Sequence, residues 1–197
     1  KIMGLLLCGG VLFPMVSAIA CYLSGRKNKN IRDLLADVAT GIECLLFLFL
    51  LIYVITKGDY SMVVKIPEVC GMGLSFALDG FRSLYGLIAA FMWFMSTLFS
   101  KEYFSHYRNR NRYYLFLLLT LGAVEGVFLS ADFYTTFIFF ELMSFTSYVW
   151  VAQDERKESL RAAGTYLAVA VIGGLVMLMG IFLLYSVTGT LEFKALA

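Results

Sequence analysis

Six helix-length stretches of the chain are almost wholly apolar, and short polar clusters separate them. A membrane-spanning helix needs about 20 mostly apolar residues. Six segments come close to or exceed that length: Met3–Tyr22, Leu34–Thr56, Phe81–Phe99, Tyr113–Ser130, Phe133–Val151 and Ala162–Thr188. The pattern predicts an all-α fold, a polytopic transmembrane helix bundle with six spanning helices. The first run has Ala18, Ala20 and Cys21 in the manner of a processing site. Its apolar stretch is too long for a secretory leader, however, and basic residues follow it, so it reads as a retained span. Pro14 removes a backbone donor inside that span and should kink it.

The polar connectors carry their own signals. Pro67, several glycines and the alternating stretch Leu74 to Leu78 lie in the long connector Lys57 to Gly80, which forms either a short strand or an irregular loop there. The connector Gln153 to Arg161 has charges of both signs and runs into Ser159-Leu160-Arg161-Ala162-Ala163, so it reads as the exposed first turns of the sixth helix. Asp79 can cap the third helix and pair with Arg82 at i+3, and Asp132 is placed to cap the fifth.

Composition confirms the membrane class. Hydrophobic residues are 60% of the chain and charged residues 15%, with a mean hydropathy of +0.81; soluble domains have about 25% charged residues. The net charge is +2 and its bases are clustered, which argues against a nucleic-acid partner. The clusters report topology instead. Arg26, Lys27, Lys29 and Arg32 occupy the first connector, Lys101, Arg108, Arg110 and Arg112 the third, and Arg156, Lys157 and Arg161 the fifth. The second connector has only Lys57 and Lys65, and the fourth has no base. By the positive-inside rule the odd connectors are cytoplasmic and the N-terminus lies outside, as in a multi-pass protein of the cytoplasmic membrane. Cys8, Cys21, Cys44 and Cys70 show no metal or CxxC spacing and read as small hydrophobes. His106 in the third connector reads as solvated.

Chemistry must come from charges inside the spans, where an ionisable side chain costs at least ~2.5 kcal/mol and faces protein or a water cavity. Glu141 interrupts the fifth run, with Ser144 at i+3, Tyr148 at i+7 and Tyr134 at i−7, a polar stripe expected to point inward. Glu125 on the fourth lies between Gly122 and Gly126, a GxxxG surface for close helix approach. Counted from a turn near Asp132 and Phe133, both glutamates should lie roughly 12 Å from the outer boundary. If their faces converge, they would share protons as one coupled unit. Glu141 and Glu125 are therefore the candidate site residues. Glu43 and Asp37 in the second span read as solvated or ion-paired toward the cytoplasmic side.

The run Ala131-Asp132-Phe133 through Phe139-Phe140-Glu141-Leu142-Met143-Ser144-Phe145-Thr146-Ser147-Tyr148 resembles the fifth helix of the antiporter-like subunits of respiratory complex I, Mrp cation/proton antiporters and membrane-bound hydrogenases. Phe76-Ala77-Leu78-Asp79-Gly80 is similar to the start of that family's third helix, and Gly174 to Thr190 to its sixth. The resemblance implies a subunit of about fourteen spans, with two inverted five-helix repeats and broken helices at the ion path. Residues 1–112 would then be three leading helices with a long outer loop, and residues 113–197 the first three helices of an incomplete first repeat.

The same resemblance gives Glu141 the role of the proton-pathway glutamate, paired with a lysine on a broken helix beyond Ala197. Glu125 matches no family signature. Thr165 stands before Tyr166 where many relatives have a lysine, a departure that leaves the branch of the family open.

The implied function is a proton-translocating subunit of an ion-pumping oxidoreductase complex of the complex I (NADH:quinone oxidoreductase) or hydrogenase type. The alternatives are an Mrp-type monovalent cation/proton antiporter subunit and a non-conducting membrane scaffold. The chain shows no redox centre, and no cofactor or metal is expected. The expected partners are other membrane subunits, lipid, protons and, in the antiporter reading, sodium or potassium.

Overall fold

The computed structural model describes residues 2–58, 61–67, 69, 72–104 and 110–196. Cys70, His106 and Arg108 lie outside the described residues. The elements in chain order are α1 (Ile2–Gly25), α2 (Lys29–Lys57), β1 (Met62–Ile66), β2 (Leu74–Leu78), α3 (Gly80–Tyr103), α4 (Arg110–Leu129), α5 (Phe133–Val151), α6 (Lys157–Thr188) and the single turn α7 (Phe193–Leu196).

All six expected long helices are present. Five of them, α1 to α4 and α6, are long and apolar enough to cross a membrane on their own composition. α5 has the length, at 19 residues, but Thr135, Thr136, Glu141, Ser144, Thr146 and Ser147 dilute its apolar content. It is held between α4 and α6, where packing on neighbours supplements weak hydrophobicity. α1 remains helical through Pro14, and α6 starts at Lys157 as its charged first turns suggested.

The helix starts follow from side-chain chemistry. The first backbone N–H groups of a helix have no partner within it, and an Asn or Asp just before can accept from one. Asn28 accepts from Asn30 N before α2, Asp79 from Arg82 N before α3, and Asp132 from Thr135 N before α5. Asp79 also pairs with the Arg82 guanidinium, so both expected roles of this residue are realised.

α4 occupies the centre. It packs on α1, α3 and α5, while α2 joins α1 to α3 and α6 lies against α5. Two apolar clusters fill the interior. Leu7, Val11, Phe47, Leu50, Leu78 and Leu129 lie in one, and Ala18, Ala36, Tyr114, Leu117 and Leu118 in the other. Outward faces are apolar as well; Val169, Ile172, Leu175, Val176, Met179 and Leu183 are exposed along α6. Large apolar side chains on the outside of a bundle suit hydrocarbon rather than water as the surrounding solvent. The chain is a multi-pass membrane protein.

One end is closed by an antiparallel hairpin, in register from Met62 opposite Leu78 to Ile66 opposite Leu74. Leu74 to Leu78 thus forms a strand and not an irregular loop. Gly73, at φ +85°, makes the approach to it, with no room for a Cβ beside the Ile66 carbonyl. β2 is mostly buried and is tied to the α4–α5 turn: Ala131 N donates to Ser75 O at 2.8 Å, and Ser75 N to Thr135 Oγ1 at 2.9 Å. The chain after α6 returns to the same turn, with Phe133 N donating to Leu191 O at 3.1 Å and Phe193 N to Ala131 O at 3.2 Å.

The opposite end is fixed by charge. Arg32, only 2% exposed, gives two hydrogen bonds to Asp33 Oδ1 at 2.9 and 2.6 Å, another to Asn111 Oδ1, and lies over the Tyr114 ring. Arg110 adds a second cation on Asp33. Arg32 is therefore part of a buried clamp joining the starts of α2 and α4, where the charge pattern alone had read it as a connector charge. Asp37 pairs with Lys101, as an ion-paired reading of it required.

Candidate functional site

Glu141 projects from the middle of α5 onto α6, where Gly174 receives it. Gly174 is buried, and a Cβ there would stand 2.7 Å from Glu141 Cδ and 2.9 Å from Oε2, so only a residue without a side chain leaves space for the carboxyl. Oε1 is buried without a hydrogen-bond partner among the described residues. Beside this contact a groove of about 570 Å³ runs between α5 and α6, bordered by Phe140, Ser144, Thr165, Tyr166, Gly173 and Gly174. Hydroxyls lie along the same α5–α6 interface. Tyr166 OH and Ser147 Oγ are 2.7 Å apart, Ser147 Oγ donates to Ser144 O at 3.1 Å, and Ser144 Oγ donates to Phe140 O at 3.0 Å. The polar stripe read along α5 thus faces α6 over Glu141 and Ser144.

Glu125 is placed elsewhere. It is fully buried, at 0% exposure, with neither oxygen hydrogen-bonded among the described residues. Its Oε2 would lie 2.9 Å from a Cβ on Gly86, so it points at α3. The condition for a coupled pair with Glu141 is not met: Glu141 faces α6 and Glu125 faces the opposite side of the α4–α5 pair. Their depths differ as well. α4 ends at Leu129, short of the assumed turn, so Glu125 is about 6 Å from its helix end and Glu141 about 12 Å from the start of α5. The flanking glycines do admit close approach. A Cβ on Gly122 would stand 2.7 Å from the Val11 carbonyl oxygen of α1, while Gly126 takes the Phe139 ring of α5.

Glu125 shares its surroundings with Glu43, since the seats of both carboxyls adjoin the Phe47 ring. Glu43 was expected to be solvated or ion-paired. It is 0% exposed, and both of its oxygens lack partners among the described residues. The signal for this was in the sequence: Ala36, Thr40, Glu43, Phe47, Leu50 and Val54 recur at three- and four-residue spacing and make the buried stripe of α2. No cluster of three or more His, Cys, Asp or Glu side chains suited to a metal occurs among the described residues. Cys8, Cys21 and Cys44 are free thiols.

Comparison with known proteins bears out the resemblance read from α5. Residues 130–197 match the family "NADH:quinone oxidoreductase/Mrp antiporter, TM". Over 190 residues the chain is 29% identical to an Na(+)/H(+) antiporter subunit of Bacillus subtilis (strain 168), a match covering 95% of this chain and 38% of the relative. Its fold is shared with a chain of the membrane-bound sulfane sulfur reductase, an archaeal respiratory membrane complex, at TM-score 0.84 and 21% identity, over 94% of this chain and 38% of the other. A chain of the Mrp complex from Dietzia sp. DQ12-45-1b superposes at TM-score 0.81 and 22% identity, over 95% of this chain and 36% of that one. The chain thus spans well under half the length of these relatives. Each of these relatives is named as an antiporter subunit or belongs to a complex.

Proposed function

We propose that this chain supplies part of a proton-translocating, antiporter-like subunit, with Glu141 as its proton-handling carboxylate. The observation that carries the reading is the seat of that carboxyl: it rests on Gly174, and one of its oxygens is enclosed with no donor among the described residues. An ionised carboxylate held there favours a cation beside it, and weakening the pair releases the cation's proton. The resemblance supplies that cation as a lysine on a later broken helix. Glu125 belongs to a different compartment of the bundle and does not serve this pair.

The setting is an ion-pumping respiratory complex in the cytoplasmic membrane, in which other subunits carry the redox cofactors and this one moves protons. The fold shared with the sulfane sulfur reductase complex supports it. A second reading, an Mrp-type exchange of sodium or potassium for protons, is favoured by the name of the Bacillus relative, a sodium/proton antiporter subunit. Both readings use the same carboxylate. The alternation of basic connectors supports an outside N-terminus.

The test is Glu141→Gln in the full-length protein within its complex. Proton translocation should be lost while assembly and insertion persist, and Glu141→Asp, which keeps the charge with a shorter reach, should retain part of it. Undiminished translocation in Glu141→Gln would overturn the reading and favour a scaffold.

A further inference from the structure

Glu43 and Glu125 lie outside the site just described, on the far side of α4 from α6. They come from different helices and reach the same depth. α2 and α4 begin at the same end of the bundle, joined there by Arg32, Asp33, Arg110 and Asn111. Glu43 is 14 residues from the start of α2 and Glu125 15 residues from the start of α4, which places them about 21 and 22 Å along their axes.

Phe47, one turn beyond Glu43, packs against both carboxylate seats. At Gly10 of α1 a Cβ would stand 3.4 Å from the Phe47 ring and 3.5 Å from Glu43 Oε1. At Gly86 of α3 a Cβ would overlap that ring and stand 2.9 Å from Glu125 Oε2. All four carboxyl oxygens are buried and none has a hydrogen-bond partner among the described residues. A buried carboxyl without a donor is best accommodated in its neutral form, with the proton on one of its own oxygens.

The surroundings leave that proton as the fitting occupant. α1 has no charged residue within its described length. On α2 the neighbouring acids are already engaged, Asp37 by Lys101 and Asp33 by Arg32 and Arg110. On α3 the one nearby cation, Arg82, is held by Asp79 and the Ser130 carbonyl. On α4 the other charges, Arg110 and Arg112, belong to the far end, and Glu141 of α5 is turned to Gly174. The thiols of Cys8 and Cys44 are the remaining nearby titratable groups on α1 and α2. A hard metal cation takes six or more oxygen ligands. Phe47 and two glycines supply none from side chains, and a proton needs only the carboxyls themselves.

We propose that Glu43 and Glu125 together form a second proton-binding site, two buried carboxyls on either side of Phe47 that hold and release an exchangeable proton in the α1–α4 half of the bundle. Uptake makes one O–H bond on a carboxylate oxygen, and release breaks it with the proton leaving to water; no electron moves. The pair stands apart from the Glu141 path.

The test is infrared difference spectroscopy on the intact complex in membranes, comparing two pH values in H2O and in D2O. The wild type should show a protonated-carboxyl C=O band that moves down in D2O. Glu43→Gln and Glu125→Gln should each diminish or remove it, and Glu141→Gln should leave it in place. If the glutamine variants do not assemble, Glu43→Asp and Glu125→Asp, which keep the carboxyl, should shift the band. The proposal is overturned if the wild type has no such band apart from one that Glu141→Gln removes. It is likewise overturned if the band is untouched by substitutions at both positions, or if it ignores D2O, which marks a locked acid that exchanges nothing.

Discussion

Replacing Gly174 by alanine perturbs the Glu141 carboxyl without touching its chemistry. The new Cβ would stand 2.7 Å from Cδ and 2.9 Å from Oε2. Carbon atoms in contact normally sit about 3.5–4.0 Å apart, so the carboxyl must withdraw by about 1 Å. A reacting group displaced by about 1 Å loses on the order of 100-fold in rate, so proton flux in Gly174→Ala should fall roughly 10- to 100-fold. α6 itself should not suffer, because alanine is the better helix former. Gly173 provides the internal control, since a Cβ added there meets nothing within 4 Å. The assay is the initial rate of proton uptake in reconstituted vesicles carrying matched amounts of assembled complex, with both variants of the full-length protein measured beside the wild type. Equal flux in Gly174→Ala and Gly173→Ala would refute the claim that the carboxyl works from this seat.

Asp132→Ala removes the α5 cap, whose Oδ1 accepts from Thr135 N at 2.6 Å, and should cost about 1 kcal/mol of stability by denaturant titration; an unchanged midpoint would count against the cap. Asp33→Ala leaves buried Arg32 without its carboxylate, and should destabilise by about 3 kcal/mol, more than the removal of an exposed ion pair. Cysteines introduced as Lys27→Cys and Lys57→Cys should react with an impermeant thiol reagent only from the cytoplasmic and only from the outer side respectively. A reversed pattern would invert the orientation.

The helices were legible because each is an apolar run of spanning length, and the caps because Asp79 and Asp132 stand immediately before such runs. β2 was half-legible from its alternation. Its partner Met62–Ile66 was not, since Lys65 and Pro67 make that stretch look like loop until the burial of β2 gives it something to pair with. Depth was read from the helical rise; it held for Glu141 and failed for Glu125, because α4 ends at Leu129, short of the assumed turn. Which way each points around its helix depends on neighbours, and here Gly86 and Gly174 draw Glu125 and Glu141 to opposite sides. Glu43 was misjudged because a span counted from Leu34 put it on the cytoplasmic side of the midplane, although its register with Phe47 and Leu50 had already assigned it to the buried face. Arg32 was counted as a topological charge because nothing local shows that Asn111 and Tyr114, some eighty residues on, close over it.

The most direct test of the central claim is proton flux through the assembled complex with Glu141→Gln, set against the wild type at equal abundance. Loss of flux with intact assembly is the result this account predicts. Flux at the wild-type rate would contradict it.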